Sequence, residues 1–363
     1  MMIYRRNEPF VSVIIVTRNR RSHLENCLRT VLATDYSNFE VILVDNASTD
    51  GSVSMIRKEF RHDNRLRILV NKENLGCGHG RNIGLGIAGG DYYAFLDDDT
   101  EVSKNWIEEA IEVLESNYAI GAVQAKILFL HERTHIHCVG GLLIPSAGSC
   151  IEIGGEERDD GSYDQMIRII PMGACMFVKA QVVDEVGGLD PEFSNRDDMD
   201  FGYRIWMRGY NIVFAPKSVV YHRWGPASID RMLSLESETL RLVLKNYSSR
   251  SIFRYLPSII ITRFFLALLN LGKGSPWRMM SLFKALGWNL KHLRDTLTER
   301  YKIQKLIRKI SDERVFDMVG CKLSPYYFFK KKNRCLTFSE DDKILKKFFN
   351  KNSYVEVPKY KES

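Results

Sequence analysis

The sequence predicts an α/β fold in which helices cover both faces of a mostly parallel sheet, followed by a helical C-terminal appendage. Short apolar runs rich in β-branched residues, such as "VSVIIV" at 11–16, alternate with amphipathic stretches in the N-terminal half. This alternation is typical of βαβ units, whose strands are buried on both faces. The appendage is predicted by leucines spaced three and four apart between 282 and 297, which places them on one face of a helix.

The individual elements follow from local patterns. After the first strand, apolar residues at 24, 27, 28, 31 and 32 have the spacing of a helix face. Further strands are predicted at 40–44, 66–70, 92–96, 121–127, 173–178 and 212–214. Helices are predicted at about 78–88 and at 198–208, and a Gly- and Asp-rich loop at 148–165.

Composition excludes several classes of protein. The 363 residues are 45% apolar and 27% charged, which excludes disorder and coiled coil as descriptions of the whole chain. No run of about 18 uncharged apolar residues occurs, so we do not expect a polytopic membrane protein. Seven cysteines without a C-x-x-C pair favour a reducing compartment over a disulfide framework. Arginines directly after the first apolar run, with no small-residue cleavage site, indicate a strand rather than a signal peptide. We therefore expect a cytoplasmic protein.

Charge is divided unevenly along the chain. Residues 241–363 contain 27 Lys and Arg against 10 Asp and Glu, whereas residues 1–240 contain 25 against 35. The apolar run at 255–272 is interrupted by Arg263, and the basic amphipathic stretch 281–310 follows it. This pattern is typical of helices that lie on an anionic membrane surface. The alternative is a helical region that packs on the preceding domain.

Carboxylates follow the predicted strands. The strand at 92–96 runs into Asp97, Asp98 and Asp99, and Asp45 directly follows the strand at 40–44. In open α/β sheets, ligands bind beyond the carboxyl ends of the strands. Three adjacent carboxylates are costly to ionise together without a cation, and Mg²⁺ or Mn²⁺ would suit their oxygens and a substrate diphosphate. The sequence therefore predicts a metal–diphosphate site, with a solvated acidic turn as the alternative.

Four segments, in this order, resemble the inverting GT-A glycosyltransferases of family 2. They are "VSVIIVTRN", "VILVDNASTDGS", "NLGCGHGRNIGLGIAGGDYYAFLDDDT" and "GACMFVKAQVVDEVGGLDPEFSNRDDMDFGYRIWMRGYNIVFAPKSVVYHRWG". The resemblance covers about 10–225, extends loosely to 310, and is greatest to the rhamnosyltransferase-like branch. It implies a Rossmann-like GT-A domain at 1–230, with a nucleotide-sugar-binding half at 10–120 and an acceptor half at 121–230. A helical, basic region at 231–319 and a basic tail of unknown role at 320–363 would follow.

The resemblance also implies roles for ten residues. The nucleotide-sugar pocket would be formed by Thr17, Asn19, Asp45, Arg81, Asp97 and Asp98. The metal ligands would be Asp99 and His222. Asp197 would be the catalytic base; it stands where the family usually has Glu, and because Asp is shorter the role could pass to Asp198. Plain structural roles remain open for several of them, such as a turn cap for Asp45, a salt bridge for Arg81, helix-dipole charge for Asp198 and a structural histidine at 222.

What the resemblance implies for function is a metal-dependent, inverting transfer. A sugar would pass from a UDP- or dTDP-sugar to a hydroxyl of a glycan or lipid-linked oligosaccharide, in polysaccharide biosynthesis of the cell envelope. Val220 stands where a processive synthase would have the glutamine of Q-x-x-R-W, so we expect a non-processive enzyme. The expected location is peripheral, on the cytoplasmic face of a membrane, and no nucleic-acid-binding module occurs. The alternatives are a sugar nucleotidyltransferase and a catalytically silent glycan- or membrane-binding protein.

Overall fold

Alternating strands and helices build one large sheet. The computed structural model describes residues 8–225, 229–272, 274, 276–322, 335–336 and 345–346. Its strands are β1 (Val11–Thr17), β2 (Phe39–Asp45), β3 (Leu66–Val70), β4 (Tyr92–Asp97), β5 (Thr100–Val102), β6 (Ile120–Phe129), β7 (Ile136–Cys138), β8 (Gly141–Ile144), β9 (Ser149–Ile153), β10 (Cys175–Lys179), β11 (Asn211–His222) and β12 (Cys335–Leu336).

The helices cover the sheet and form the C-terminal region. They are α1 (Arg21–Leu32), α2 (Ser52–Glu59), α3 (Cys77–Leu85), α4 (Trp106–Ser116), α5 (Ala180–Val186), α6 (Asp197–Arg208), α7 (Ile229–Asn246), α8 (Ser249–Gly272), α9 (Trp277–Lys291), α10 (Leu293–Lys302) and α11 (Asp312–Val319), with a π-helical turn at Ile303–Ile307.

Strand order brings the polar strand ends together. The large sheet has the order β3-β2-β1-β4-β10-β6-β11-β5, and β7 pairs with β6. Strand β1 lies parallel to both β2 and β4, with Thr17 opposite Asp45 and Val16 opposite Asp97. The carboxyl ends of these three strands therefore meet at one edge, as the sequence predicts. A small second sheet has the order β12-β9-β8.

Both faces of the sheet are buried, which explains the continuous apolar runs. Successive residues of β1 alternate between two cores: Val13 and Ile15 belong to the cluster that includes α1 and α4, whereas Ile14 belongs to the cluster on the opposite side, which includes α6 and α7. Helix α3 lies very close to β1. A Cβ added at Gly84 would come within 2.5 Å of Ile14 Cγ2. The glycines of α3 therefore set how closely this helix approaches the sheet.

Two predictions about local structure are wrong. The predicted loop at 148–165 contains strand β9, because Ser149–Ile153 pairs antiparallel with β8. The strand predicted at 212–214 extends to His222, because a register shift between Ala215 and Val219 absorbs the proline at 216 and the pairing with β6 then resumes. That extension carries His222 to the strand-end edge.

The helical C-terminal region shares a core with the sheet. Leu240 and Val243 of α7 belong to the same hydrophobic cluster as Phe95 of β4. Helix α8 is the one helix in the described ranges that is long and apolar enough to span a membrane, judged by length and composition alone. Its Arg263 is paired with Glu236 of α7. The basic tail predicted at 320–363 lies almost entirely outside the described residues.

Candidate active site

The turn after β4 places its three aspartates in different environments. Asp98 is buried, and one of its oxygens accepts a 2.6 Å hydrogen bond from Thr17 Oγ1. Burial raises the pKa of Asp98 to about 7. Burial would also raise the pKa of Asp99, but hydrogen bonds and charges from His222 and Arg20 outweigh it and lower that pKa. The two residues that counteract the effect of burial on the pKa of Asp99 are thus Arg20, which is positively charged, and His222, which is a potential metal ligand.

A set of metal-ligating groups lies at this turn. Ligand atoms of Asp97, Asp99 and His222 all lie within 4.8 Å of one another, and His222 Nε2 is 3.2 Å from Asp99 Oδ1. Two carboxylates and one imidazole form a donor set that suits Mn²⁺ and is compatible with Mg²⁺. These residues therefore fit a divalent cation, and Asp97 joins the two ligands expected from the sequence.

Arg81 connects the metal-ligand set to α6. Its guanidinium donates to Asp97 Oδ1 at 2.7 Å and to Asp197 Oδ2 at 2.6 Å, and the arginine is buried. Arg81 lies on α3, so the close packing of that helix on β1 positions the bridge. The structure places Arg81 between two carboxylates.

Asp197 and Asp198, at the start of α6, have different hydrogen-bond partners. Asp197 accepts from Arg81, whereas Asp198 accepts from the backbone N–H of Gly173 at 3.0 Å and of Met199 at 2.7 Å. Burial, followed by the neighbouring charge of Asp197, raises the pKa of Asp198 to about 7. A carboxyl group with this pKa exchanges its proton near neutral pH.

One buried acceptor at this edge of the sheet has no donor among the described residues. Asp45 at the end of β2 is fully buried, and its Oδ2 accepts from Ser48 N at 2.9 Å. Within the described part of the chain, no donor reaches Asp45 Oδ1. Asn19 lies nearby with a φ of 53°, and its side-chain oxygen accepts from Thr49 N at 2.7 Å. A buried oxygen without a partner is costly, and it suits an N–H or O–H group of a ligand.

A pocket opens beside the turn. Its volume is about 270 Å³, and its lining consists of Ser22, His23, Asn26, Asp99, Thr100, Glu101, Leu130 and Arg223. The structure thus brings Thr17, Asp45, Arg81, the aspartate turn, the Asp197–Asp198 pair and His222 to one end of the sheet, while Asn19 lies in the loop after β1.

Sequence reasoning missed two residues of this site. Arg20 pairs with Asp99 and lies 3.8 Å from Asp98; its position directly after Asn19 was the available signal. His137 contacts His222 with 3.1 Å between their Nδ1 atoms. Its histidine-rich segment is visible in the sequence, but its proximity to position 222 depends on strand pairing.

Comparisons with known proteins agree with this architecture. Residues 12–182 match the glycosyl transferase family 2 profile. A Haemophilus influenzae protein described as an uncharacterized glycosyltransferase is 33% identical over 127 residues, which cover 35% of this chain and 39% of that protein. Glycosyltransferase AglE of Haloferax volcanii is 28% identical over 225 residues, which cover 60% of this chain and 68% of AglE.

A solved structure extends the likeness to the fold. The mannosyltransferase PcManGT of Pyrobaculum calidifontis, in complex with GDP-Man and Mn²⁺, superimposes with a TM-score of 0.52 at 18% identity. The match covers 82% of this chain and 85% of that one. Residues 12–182 are thus similar to glycosyl transferase family 2, and the chain has a GT-A-like fold.

Proposed function

We propose that this protein transfers a sugar, with inversion, from a UDP- or dTDP-sugar to a hydroxyl group of a glycan or lipid-linked acceptor. The observation that carries the proposal is the convergence of the Asp97, Asp99 and His222 ligand atoms beside the acidic start of α6. A cation-binding group and a proton acceptor at one strand-end edge are what a single displacement on a nucleoside-diphosphate sugar requires.

Each half of the site would hold one part of the donor. Asp45 Oδ1, which is buried and lacks a donor within the described residues, would accept a hydrogen bond from the base or ribose. Thr17 holds Asp98 and thereby fixes the turn that contains the metal ligands. A Mg²⁺ or Mn²⁺ ion held by Asp97, Asp99 and His222 would neutralise the charge of the departing diphosphate.

Two carboxylates compete for the role of base. Asp197, the residue implied by family resemblance, is engaged by Arg81 at 2.6 Å. Asp198 has a pKa raised to about 7 by burial and by Asp197, and a base with a pKa near the working pH is effective. We favour Asp198 as the proton acceptor and Asp197 as the residue that holds Arg81. The base takes the acceptor proton while the new glycosidic bond forms and the bond to the diphosphate breaks.

The C-terminal helices supply the basis for a membrane partner. Large apolar side chains on α8 and α9 face solvent, with Phe253 86%, Ile261 67% and Phe283 61% exposed. Residues 249–310 contain 13 Lys and Arg against 2 Asp and Glu. An apolar face on a strongly basic segment suits an anionic bilayer surface. Because the buried residues of these helices, such as Ile259 and Ala285, belong to the hydrophobic core that includes α7, the domain would lie peripherally on the membrane, at its cytoplasmic face.

The test is a panel of nucleotide sugars scored by the product released. One donor in the panel should release nucleoside diphosphate in the presence of Mn²⁺ or Mg²⁺. EDTA should abolish this release. Asp99→Asn should remove the metal-dependent activity while circular dichroism remains unchanged. Release of pyrophosphate would instead indicate nucleotidyl transfer, and equal turnover with and without EDTA would contradict the proposed metal site.

A further inference from the structure

Two histidines from different strands lie side by side behind the metal-ligand set. His137 is the middle residue of β7, and His222 ends β11; both strands pair with β6, where Phe129 lies opposite His222. The Nδ1 atoms of the two histidines are 3.1 Å apart, which is hydrogen-bonding distance. The other ring nitrogen of His222, Nε2, lies 3.2 Å from Asp99 Oδ1. His222 is therefore held between a second imidazole and a metal-ligating carboxylate.

The chemistry of a neutral imidazole restricts how such a pair can act. One ring nitrogen carries a proton and the other carries a lone pair. For His222 Nε2 to bind a cation, its proton must reside on Nδ1, and that proton then needs an acceptor. The Nδ1 atom of His137 lies at hydrogen-bonding distance from His222 Nδ1, which carries that proton. The contact thus supplies the acceptor that the metal-binding tautomer of His222 requires.

The surroundings hold the orientation of His137. The residue is only 7% exposed. Its ring centroid lies 5.0 Å from that of Phe129 and 4.8 Å from that of Trp224. Aromatic neighbours on this scale restrict rotation of the ring, so the Nδ1 atom remains directed at His222.

We propose that His137 is a positioning residue that selects the tautomer of His222 able to bind the metal. His137 Nδ1 accepts a hydrogen bond from His222 Nδ1–H, which leaves the Nε2 lone pair of His222 directed at the cation. His137 would act on the metal through His222. The proposal rests on the metal-dependent function argued above, and it adds a residue that neither the motifs nor the ligand set contains.

Binding of Mn²⁺ alone, followed by electron paramagnetic resonance of the free ion, tests the proposal without any turnover. Loss of such an outer partner typically weakens metal binding roughly 10–100-fold, and we expect this of His137→Leu. His137→Asn keeps an acceptor oxygen near the place of Nδ1 and should stay within about threefold of the wild type on the same scale. His135→Leu, at a half-buried position two residues away, is the matched control and should bind like the wild type.

Two outcomes would overturn the proposal. Binding of Mn²⁺ by His137→Leu within twofold of the wild type would show that the contact has no effect on the metal. Equal weakening of Mn²⁺ binding in His137→Asn and His137→Leu would show that the His137 ring acts through its shape and not through a hydrogen bond. A wild-type protein that binds no Mn²⁺ would contradict the proposed metal site itself, which separates failure of the function from failure of this inference.

A spectroscopic measurement covers the case in which the variants fail to fold. In the Mg²⁺-loaded wild-type protein labelled with ¹⁵N-histidine, the His222 signals should show the proton on Nδ1 and none on Nε2. Assignment follows from the signals lost in His222→Gln. A proton on His222 Nε2 in the loaded protein would rule out the proposed tautomer.

Discussion

Two aspartates near the proposed metal site, Asp98 and Asp198, have pKa values raised to about 7, and burial is the largest cause for both. Their partners differ. Asp98 accepts from the Thr17 hydroxyl, between Asp97 and Asp99 of the proposed metal-ligand set, whereas Asp198, at the start of α6, accepts from the backbone N–H groups of Gly173 and Met199. Similar acidities therefore arise in groups suited to different tasks. Asp98 stabilises the turn, and Asp198 is the residue for which we propose the role of proton acceptor.

The acidity of Asp198 predicts the pH dependence of turnover. Below about pH 7 this carboxyl group is protonated and cannot accept a proton, so kcat/KM should fall about tenfold per pH unit. Asp198→Asn should lose roughly 10²–10⁴-fold in rate together with this acid limb. The measurement is kcat/KM against pH at saturating metal.

The variant Asp197→Asn distinguishes the two candidate bases. The charge of Asp197 contributes to the raised pKa of Asp198, so its removal should lower that pKa and move the acid limb to lower pH. If Asp197→Asn instead abolishes turnover and Asp198→Asn leaves the profile intact, the base is Asp197.

Among the elements, helix α3 shows how close packing on a strand fixes the position of a buried side chain, that of Arg81. It delivers Arg81 to Asp97 and Asp197 because its glycines allow close approach to β1. A Cβ at Gly80 would come within 2.7 Å of Val16 Cγ1, and one at Gly84 within 2.5 Å of Ile14 Cγ2. Both atoms belong to buried or half-buried strand side chains, which have little room to move.

A pair of glycine substitutions tests this packing. Gly84→Ala should destabilise the protein by about 1–3 kcal/mol because it overfills a packed contact. Gly287→Ala, in the middle of α9 with open space around it, should stabilise by about 0.5–1 kcal/mol through helix propensity. Denaturant midpoints of both variants provide the measurement. A Gly84→Ala protein as stable as the wild type would show that α3 can shift away from β1 at no cost.

The strands also show how much of the fold and of the site could be predicted from the sequence. The continuous apolar runs of β1 and β2 predicted buried parallel strands, and those strands were found with nearly the expected bounds. The position of Asp45 and the aspartate turn followed from the same pattern. The extension of β11 past its proline could not be predicted, because pairing with β6 resumes only after a register shift. The contact between His137 and His222 could not be predicted either, because it depends on how β7 and β11 pair with β6.

On the scale of the whole molecule, the exposed apolar face of α8 and α9 predicts binding to anionic liposomes. Each Lys or Arg near such a surface contributes about 1 kcal/mol, an attraction that salt weakens. Apolar side chains that insert should add a part resistant to salt. The full chain should therefore sediment with vesicles that contain anionic lipid, and high salt should release only part of it.

Substitutions on the exposed face of α8 measure the apolar contribution to liposome binding. Changing both Ile261 and Phe265 to Ser should reduce the salt-resistant binding, whereas Tyr118→Ser, at an exposed position far from α8 in the chain, should not. A truncation near residue 230 is unsuitable because it removes Leu240 and Val243 from the core shared with the sheet. Full-length protein that stays in solution with anionic vesicles at low salt would contradict a membrane partner.

A group of buried charges joins the C-terminal helices to α6. Arg241 and Lys245 of α7 are both within 3 Å of Asp190 Oδ2, and Lys245 is also 2.8 Å from Asp200 Oδ1. Removing one partner from such a buried group strands an uncompensated charge, at a cost of about 3–5 kcal/mol. Chimeras that exchange the C-terminal helices between relatives will therefore misfold unless positions 190 and 200 are exchanged with them. The helices are thus not interchangeable as a module, because a boundary for exchange would have to lie before position 190 rather than directly before α7.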